Sequence, residues 1–345
     1  MKLKRRSWSE RNHKALNGLL SGVRPGEIAV FDWDNTCVFN DIGEALLRHL
    51  TFGLAYRIDA RAMAAMVPDR INGVGHVLIK GKPFQLERLK KAVFSAYGRL
   101  KQASSSAGIP RRDEEYRVFT SGLLALNRAL EETPGIGCEF AYPWVIALLQ
   151  GLSPAELDEM AATVIARALK EPIRRHALLD PAGRWRYDWS GGVRLYPEMK
   201  DLAACWRERG GKVVVSTASH RQLVEKMIAM TGFPCRQVIG MELEASGGRF
   251  RDAMKPGLRP NLGWGKVANL RSRFDREPAL AAGDSSNDVQ MLTAFPSTRV
   301  RLVIDRHKKG EIAHVARRAR AGEIGFLVQE IDPRRGIFQA AGDRG

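Results

Sequence analysis

Short apolar runs recur along the chain, and several of them end in a polar residue. Ile28 to Phe31 form such a run, and Asp32, Asp34 and Thr36 follow it at alternate positions. Runs of this length suit strands that are buried on both faces of a parallel sheet. Four later runs are also predicted to be strands: Val213 to Val215, Ala279 to Ala282, Val300 to Ile304 and Ile324 to Val328.

Apolar residues at helical spacing separate these runs. Pro197 is typical of a helix start, and a second helix is predicted from Ile312 to Ala319. Ser219 and Gln222 have the spacing of a capping box for a third helix. Strands that alternate with helices predict an α/β fold with a doubly wound, mainly parallel, Rossmann-like sheet.

The segment 41–189 interrupts this alternation. Helical spacing predominates there, and a capping box at Ser153 and Glu156 opens its last helix. The other helices predicted in this segment are Ile42 to Leu50, Arg61 to Met66, Phe84 to Leu100 and Tyr116 to Leu130, with a loop at Ser104 to Ser106. No second sheet rich in strands is expected. We therefore predict a catalytic core of residues 1–40 and 190–345, and an inserted helical cap domain of residues 41–189 that sets substrate specificity.

Composition narrows the class of protein. The chain has 345 residues, 44% of them hydrophobic, which is enough for two domains, and no stretch is long and apolar enough for a transmembrane helix. The basic start, MKLKRRSWSERNHK, is not followed by an apolar run, so we expect no secretory signal and a cytoplasmic location. The four cysteines are not closely spaced, which favours free thiols over a metal knuckle.

The formal net charge of +17 favours anionic partners. Phosphorylated small molecules and nucleic acids both qualify. Because the positive charge is spread along the chain rather than collected in a basic tail, we interpret it as a solvated, Arg-rich surface, and nucleic-acid binding is not expected. The oligomeric state is not indicated by the sequence.

The pattern Asp32-x-Asp34-x-Thr36 is the first candidate for chemistry. Open α/β sheets bind ligands at the carboxyl ends of their strands, where this pattern would lie. Two carboxylates so close repel each other unless a cation or a shared proton intervenes, and Mg²⁺ prefers such oxygen ligands. The alternative is an ordinary turn, since Asp and Asn are common turn residues.

Three further features follow in order: Ser216 after a predicted strand, Lys266 in GWGKVANL, and Asp284 and Asp288 in GDSSND. With the Asp32 pattern, this order resembles the haloacid dehalogenase superfamily of phosphohydrolases. Six segments of the chain are similar to the phosphorylcholine phosphatase-like branch of this superfamily: FDWDNT, NDIGEALL, YPEM, VVVSTAS, CEFAYPWVIALLQGLSPAEL and FLVQEIDPRRGIF. Trp33 departs from that branch, which often has a smaller residue there.

The resemblance implies a Mg²⁺-dependent phosphomonoesterase that acts through an aspartyl phosphate. Asp32 would be the nucleophile and a metal ligand. Asp34 would protonate the leaving group and then activate water, and its backbone carbonyl would bind the metal. Asp284 would bind Mg²⁺ directly, and Asp288 would bind it through water or support the site.

Three residues are implied to bind the phosphoryl group of the substrate. Thr36 and Ser216 would donate hydrogen bonds to phosphoryl oxygens, and Lys266 would supply positive charge for binding and catalysis. Lys255 competes with Lys266 for this role. We prefer Lys266, because the superfamily presents this lysine on a short Gly-flanked stretch before a helix.

The segment 131–160 contains six acidic residues and no Lys or Arg. Within it, Glu139, Tyr142 and Trp144 could hold a quaternary ammonium group, since aromatic faces and a carboxylate attract such a cation. We therefore expect a small phosphorylated substrate similar to phosphocholine. Helix capping and the packed interior of the cap are alternative explanations for this segment. A phosphoserine-type phosphatase and a basic nucleic-acid-binding protein with a disused phosphatase core are the alternative functions.

Overall fold

The computed structural model describes residues 2–103 and 114–340. Its main feature is a seven-stranded sheet with the strand order β7-β6-β5-β4-β1-β2-β3. In chain order the strands are Ile28–Phe31 (β1), Lys212–His220 (β2), Gln237–Met241 (β3), Pro278–Gly283 (β4), Val300–Asp305 (β5), Phe326–Asp332 (β6) and Ile337–Gln339 (β7). All neighbouring strands are parallel except β6 and β7. The predicted α/β fold is confirmed.

Helices cover both faces of this sheet. Ile28 and Val30 of β1 belong to one buried cluster, and Ala29 and Phe31 belong to the other, as the two-residue period of a strand requires. The helices are Glu10–Ser21 (α1), Ile42–Gly53 (α2), Ala60–Ala65 (α3), Leu86–Ala103 (α4), Glu114–Glu132 (α5), Gly137–Ala147 (α6), Pro154–Lys170 (α7), Pro197–Glu208 (α8), Arg221–Thr231 (α9), Trp264–Arg273 (α10), Val289–Thr293 (α11) and Glu311–Arg320 (α12).

The strand order places a switch point next to β1. The chain passes from β1 to β2 and β3 on one side, then returns to form β4 on the other side of β1. Crevices at such points, outside the carboxyl ends of the strands, are where doubly wound sheets bind ligands. Asp32 follows β1 and Asp284 follows β4, and the Asp32 backbone N–H donates to the Ala282 carbonyl oxygen at 2.9 Å. The fold therefore brings these two sequence patterns together.

The segment 41–189 contributes no strand to the main sheet within its described residues. The capping box predicted at Ser153 and Glu156 is present at the start of α7. Two antiparallel strand pairs were not predicted there: His76–Ile79 with Lys82–Gln85, and Arg175–Leu179 with Arg186–Ser190. Helix α6 was not predicted either, because Pro143 lies inside it and its apolar residues show little helical period.

Other boundaries differ from the sequence predictions. The prediction of a capping box at Ser219 and Gln222 is wrong, because β2 continues to His220 and α9 begins at Arg221 without a side-chain cap. The last parallel strand begins at Phe326, and Ile324 is 96% exposed. Strand β3 and the antiparallel pair Leu243–Ser246 and Arg249–Met254 were not predicted.

The loop predicted at Ser104 to Ser106 lies outside the described residues. Within residues 2–103 and 114–340, none of the helices combines the length and the apolar character that a membrane crossing needs.

Candidate active site

The loop after β1 positions the first group of polar side chains. Asn35 has a φ of 64°, a left-handed conformation that Asn tolerates, so the chain turns sharply after Asp34. The turn lets the Thr36 hydroxyl donate to Asp32 Oδ2 at 2.9 Å. Thr36 is fully buried and Asp32 is 7% exposed. Thr36 therefore orients the Asp32 carboxylate.

Lys266 lies in the first turn of α10 and joins two of the predicted carboxylates. Its Nζ is 2.7 Å from Asp32 Oδ1 and 2.6 Å from Asp288 Oδ1, and the side chain is 1% exposed. Lys255 instead pairs with Glu242 Oε2 at 3.2 Å, and its side chain is 54% exposed. Of the two lysines considered from the sequence, the fold brings Lys266 to the Asp32 loop.

Asp32, Asp284 and Asp288 form a buried group of carboxylates whose ligand oxygens lie within 4.8 Å of one another. Hard oxygen donors in this arrangement suit a divalent cation. Asp288 is already engaged, because Oδ1 accepts from Lys266, while Oδ2 accepts from the Ser285 backbone N–H at 3.0 Å and from its hydroxyl at 2.8 Å. Asp288 thus also supports the loop and orients the lysine.

A glycine is required where β4 meets this group. A Cβ at position 283 would lie 2.4 Å from Asp288 Cβ, a distance that side chains do not reach. The strand can therefore end against Asp288 only because residue 283 has no side chain. This contact brings the Asp288 side chain close to the end of β4.

Burial and neighbouring charges shift the pKa of two members of the group in opposite directions. Burial, followed by the charge of Asp288, raises the pKa of Asp32 to about 7, although Lys266 opposes the shift. Burial would also raise the pKa of Asp288, but the charge and the hydrogen bond of Lys266 hold it below its ordinary value. Lys266 is held in its charged form by both carboxylates, which outweigh the effect of burial on its pKa.

Asp34 has a different environment. Its Oδ1 accepts from the Ile42 backbone N–H at 2.8 Å, and its Oδ2 accepts from the Ser219 hydroxyl at 2.7 Å. Burial, followed by the charge of Asp41, raises the pKa of Asp34 well above its ordinary value. A raised pKa favours the protonated carboxyl group, which suits a general acid.

Ser216 is fully buried behind the site. Its hydroxyl accepts from Asn261 Nδ2 at 3.1 Å, and Asn261 also donates to the backbone oxygens of Thr217 and Ile239. Ser216 is not among the described residues that line the cavity, whereas Thr217 and Ser219 line it. Asn261 thus holds the Ser216 hydroxyl within the core, and the phosphate contact of Ser216 stays a prediction. Nothing in the sequence pattern singled out Asn261.

A cavity of about 940 Å³ opens above these loops, and residues of the segment 41–189 form much of its wall. Of the three residues predicted to bind the head group, only Tyr142 lines it. Its hydroxyl donates to Glu131 Oε1 at 3.1 Å. Glu139 is exposed outside the cavity, and Trp144 is buried at 3% exposure and does not line the cavity. The predicted group is therefore not formed, since a helix turns by about 100° per residue and separates Tyr142 from Trp144.

Other charged residues of the segment 41–189 line this wall. Glu44 Oε1 accepts from Arg128 at 2.9 Å, and Glu44 Oε2 accepts from Arg48 at 3.2 Å. Burial opposes ionisation, but these two arginines lower the pKa of Glu44. Asp41 and Glu131 also line the cavity. These residues were missed because each one, in its local sequence, is indistinguishable from a solvated charge on a helix.

Three rings form a second part of the cavity wall. Trp189 stacks on His176 with 5.0 Å between ring centroids, and on Tyr187 with 5.5 Å. The pairing of Arg175–Leu179 with Arg186–Ser190 places these rings on one face. Because Trp189 stacks on two other rings, this part of the wall is a packed aromatic cluster.

Comparisons with known proteins agree with this geometry. Residues 125–293 match the family model of the haloacid dehalogenase-like hydrolases, a range that contains Ser216, Lys266, Asp284 and Asp288 but not the Asp32 loop. A comparison with curated protein sequences found no match.

Among solved structures, a conserved, functionally unknown protein from Anaerococcus prevotii DSM 20548 is 23% identical, with a TM-score of 0.85 over 99% of this chain and 97% of that one. A protein with unknown function from Bordetella pertussis Tohama I is 15% identical, with a TM-score of 0.50 over 90% of this chain and 99% of that one. These two likenesses concern the fold alone. The family match, the doubly wound sheet and the order of the site loops together make this chain similar to the haloacid dehalogenase-like hydrolases.

Proposed function

We propose that this protein is a haloacid dehalogenase-like hydrolase, and that it is a Mg²⁺-dependent phosphomonoesterase that acts through an aspartyl-phosphate intermediate. The observation that carries the proposal is the position of Lys266, whose ammonium group lies between Asp32 and Asp288 at the switch point of the sheet. A buried cation beside a candidate nucleophile suits a reaction in which a carboxylate attacks an anionic ester.

In the first step, an oxygen of the Asp32 carboxylate attacks phosphorus while the bond from phosphorus to the ester oxygen breaks. Asp34, whose raised pKa favours the protonated form, gives its proton to the departing oxygen, so the alcohol leaves neutral. Thr36 holds Asp32 in position for attack. The products are the free alcohol and a phosphoryl group on Asp32.

In the second step, water attacks the phosphorus of this acyl phosphate. Asp34, now a carboxylate, takes a proton from the water, and the bond between phosphorus and the Asp32 oxygen breaks. Inorganic phosphate leaves, Asp32 is again a carboxylate and Asp34 is again protonated. Ser219, which hydrogen-bonds to Asp34, positions it for both steps.

Asp32 and Asp284 would hold the metal ion, with Asp288 beside them. When bound, Mg²⁺ supplies positive charge that reduces the repulsion between the carboxylate and the phosphate ester. Lys266 remains between Asp32 and Asp288 and adds its own charge.

We also propose that the segment 41–189 is a cap domain that selects the substrate. The cavity has the size of a small-molecule site. Asp41 and Glu131 offer carboxylates, with Tyr142 beside them, so a phosphorylated metabolite with a cationic head group, such as phosphocholine, is the substrate we propose. A phosphoserine-type substrate is the alternative, since its ammonium group could use the same carboxylates.

The test uses p-nitrophenyl phosphate, which reports hydrolysis independently of the head group. Asp32→Asn should abolish turnover with the fold intact. Asp34→Asn should still accumulate some phosphoenzyme, detectable by mass spectrometry, because p-nitrophenolate leaves without protonation. Turnover by Asp32→Asn at the wild-type rate would disprove the mechanism.

A further inference from the structure

Two basic side chains contact Asp284, and the proposed mechanism does not use them. Lys308 Nζ lies 3.0 Å from Asp284 Oδ2, and Arg306 Nη1 lies 3.3 Å from the same oxygen. The Asp284 side chain is 4% exposed. One buried carboxylate oxygen therefore faces two cations. The single negative charge of Asp284 cannot neutralise both of them.

The loop that carries these cations is held over the site. The Asp305 carboxylate, at the end of β5, accepts from the His307 backbone N–H at 2.7 Å and forms an ion pair with Arg320 of α12. His307 has a φ of 55°, so the chain turns between the two basic residues. Arg306 and Lys308 both line the cavity as a result.

The formal charges at this end of the cavity point to a ligand. Asp32, Asp284 and Asp288 carry three negative charges, and their ion-pair partners Lys266, Arg306 and Lys308 carry three positive charges. A divalent cation on the carboxylates would leave two positive charges in excess. A dianion such as the phosphoryl group of a monoester restores neutrality, and Arg and Lys are its usual protein partners.

We propose that Arg306 and Lys308 exchange partners during binding. Asp284 holds them until the divalent cation takes that carboxylate, and they then bind the oxygens of the phosphoryl group. The inference rests on the proposed function for its ligand, and it deepens that function by making the two ions bind cooperatively. Such coupling is reciprocal, so phosphate raises the affinity for the cation as the cation raises the affinity for phosphate.

The experiment measures binding, so it needs no turnover. Calorimetry gives two dissociation constants for wild type, Arg306→Gln and Lys308→Gln. One is the constant for Mg²⁺ without phosphate, and the other is the constant for inorganic phosphate at saturating Mg²⁺. Each variant should bind Mg²⁺ about three- to tenfold more tightly, since a like charge is removed from the site. Each should bind phosphate roughly tenfold more weakly, since a charge-assisted hydrogen bond is lost.

Lys309→Gln is the matched control, because it removes the same charge one residue further on. Lys309 is exposed and is not among the described residues that line the cavity, so both of its constants should stay within about twofold of wild type. If Arg306 and Lys308 had a merely structural role, their substitution would weaken the binding of Mg²⁺ and of phosphate together, and that result would overturn the proposal. A wild-type protein that binds neither ion would also overturn it. A protein that does not hydrolyse p-nitrophenyl phosphate would contradict the proposed function, but the binding constants would still test the exchange of partners.

Discussion

Lys266 offers a way to separate catalysis from stability at this site. Its ammonium group is 1% exposed and neutralises two buried carboxylates, Asp32 and Asp288. Lys266→Met keeps the length of the side chain and removes the charge. Removing one partner of a buried ion pair leaves an uncompensated charge and costs about 3–5 kcal/mol. We therefore expect the free energy of unfolding to fall by that amount.

A second substitution recovers part of this loss. In Lys266→Met combined with Asp288→Asn, one of the two orphaned carboxylates becomes a neutral amide, whose Oδ1 can still accept from Ser285. The double variant should be about 1–3 kcal/mol more stable than Lys266→Met, because one buried, unpaired charge has been removed. Turnover should stay about 10²- to 10³-fold below wild type in both, since the cation beside Asp32 is missing in both.

Urea denaturation gives the stabilities, and hydrolysis of p-nitrophenyl phosphate gives the rates. Lys255→Gln is the control: its exposed pair with Glu242 should cost less than about 1 kcal/mol, with turnover unchanged. If turnover recovers along with stability in the double variant, Lys266 only supports the fold and the electrostatic reasoning fails. A double variant no more stable than Lys266→Met would show that the charge of Asp288 is not the source of the loss.

Three further predictions concern the metal, the pH dependence and the head group. A chelator should abolish turnover and Mg²⁺ should restore it, while Ca²⁺ should bind yet support little turnover because its coordination is larger and looser; full activity in excess chelator would contradict this. Burial and the charge of Glu44 raise the pKa of Asp41 to about 6, above its ordinary value of 3.8. Because the folded metal-free protein holds this proton more tightly than the unfolded chain, Asp41 adds to the free energy of unfolding below pH 4. This stabilisation is lost as the pH rises through 6. Asp41→Asn should therefore gain stability relative to wild type from pH 4 to pH 7 in urea titrations, and an equal difference at both pH values would contradict the assignment. Glu131→Gln should weaken hydrolysis of phosphocholine more than that of p-nitrophenyl phosphate, with Glu139→Gln, outside the cavity, leaving both unchanged; equal losses on both substrates would remove Glu131 from the head-group site.

The main errors of prediction come from residues whose role depends on distant partners. Glu139 and Trp144 share a short acidic, aromatic stretch with Tyr142, yet the rotation of α6 separates them and leaves Tyr142 at the cavity. Ser219 fitted a capping box, but its hydroxyl bonds to Asp34, 185 residues away. In each case the local pattern was compatible with two roles, and a contact that no local pattern encodes selected one.

The sequence by itself determined the parts of the site that depend on local order. Buried strands are short apolar runs, and the polar residues that end them must lie at the carboxyl edge of a parallel sheet, so Asp32 and Asp284 were found without coordinates. Only the tertiary structure decided which lysine reaches Asp32, because Lys266 is 234 residues from it and Lys255 is the same type of residue. It also decided the cavity wall, since Glu131, Arg306 and Lys308 resemble ordinary surface charges until the segment 41–189 and the loop after β5 come together in the fold. Periodicity records the burial of each element, whereas the partners of a charged side chain depend on how those elements pack.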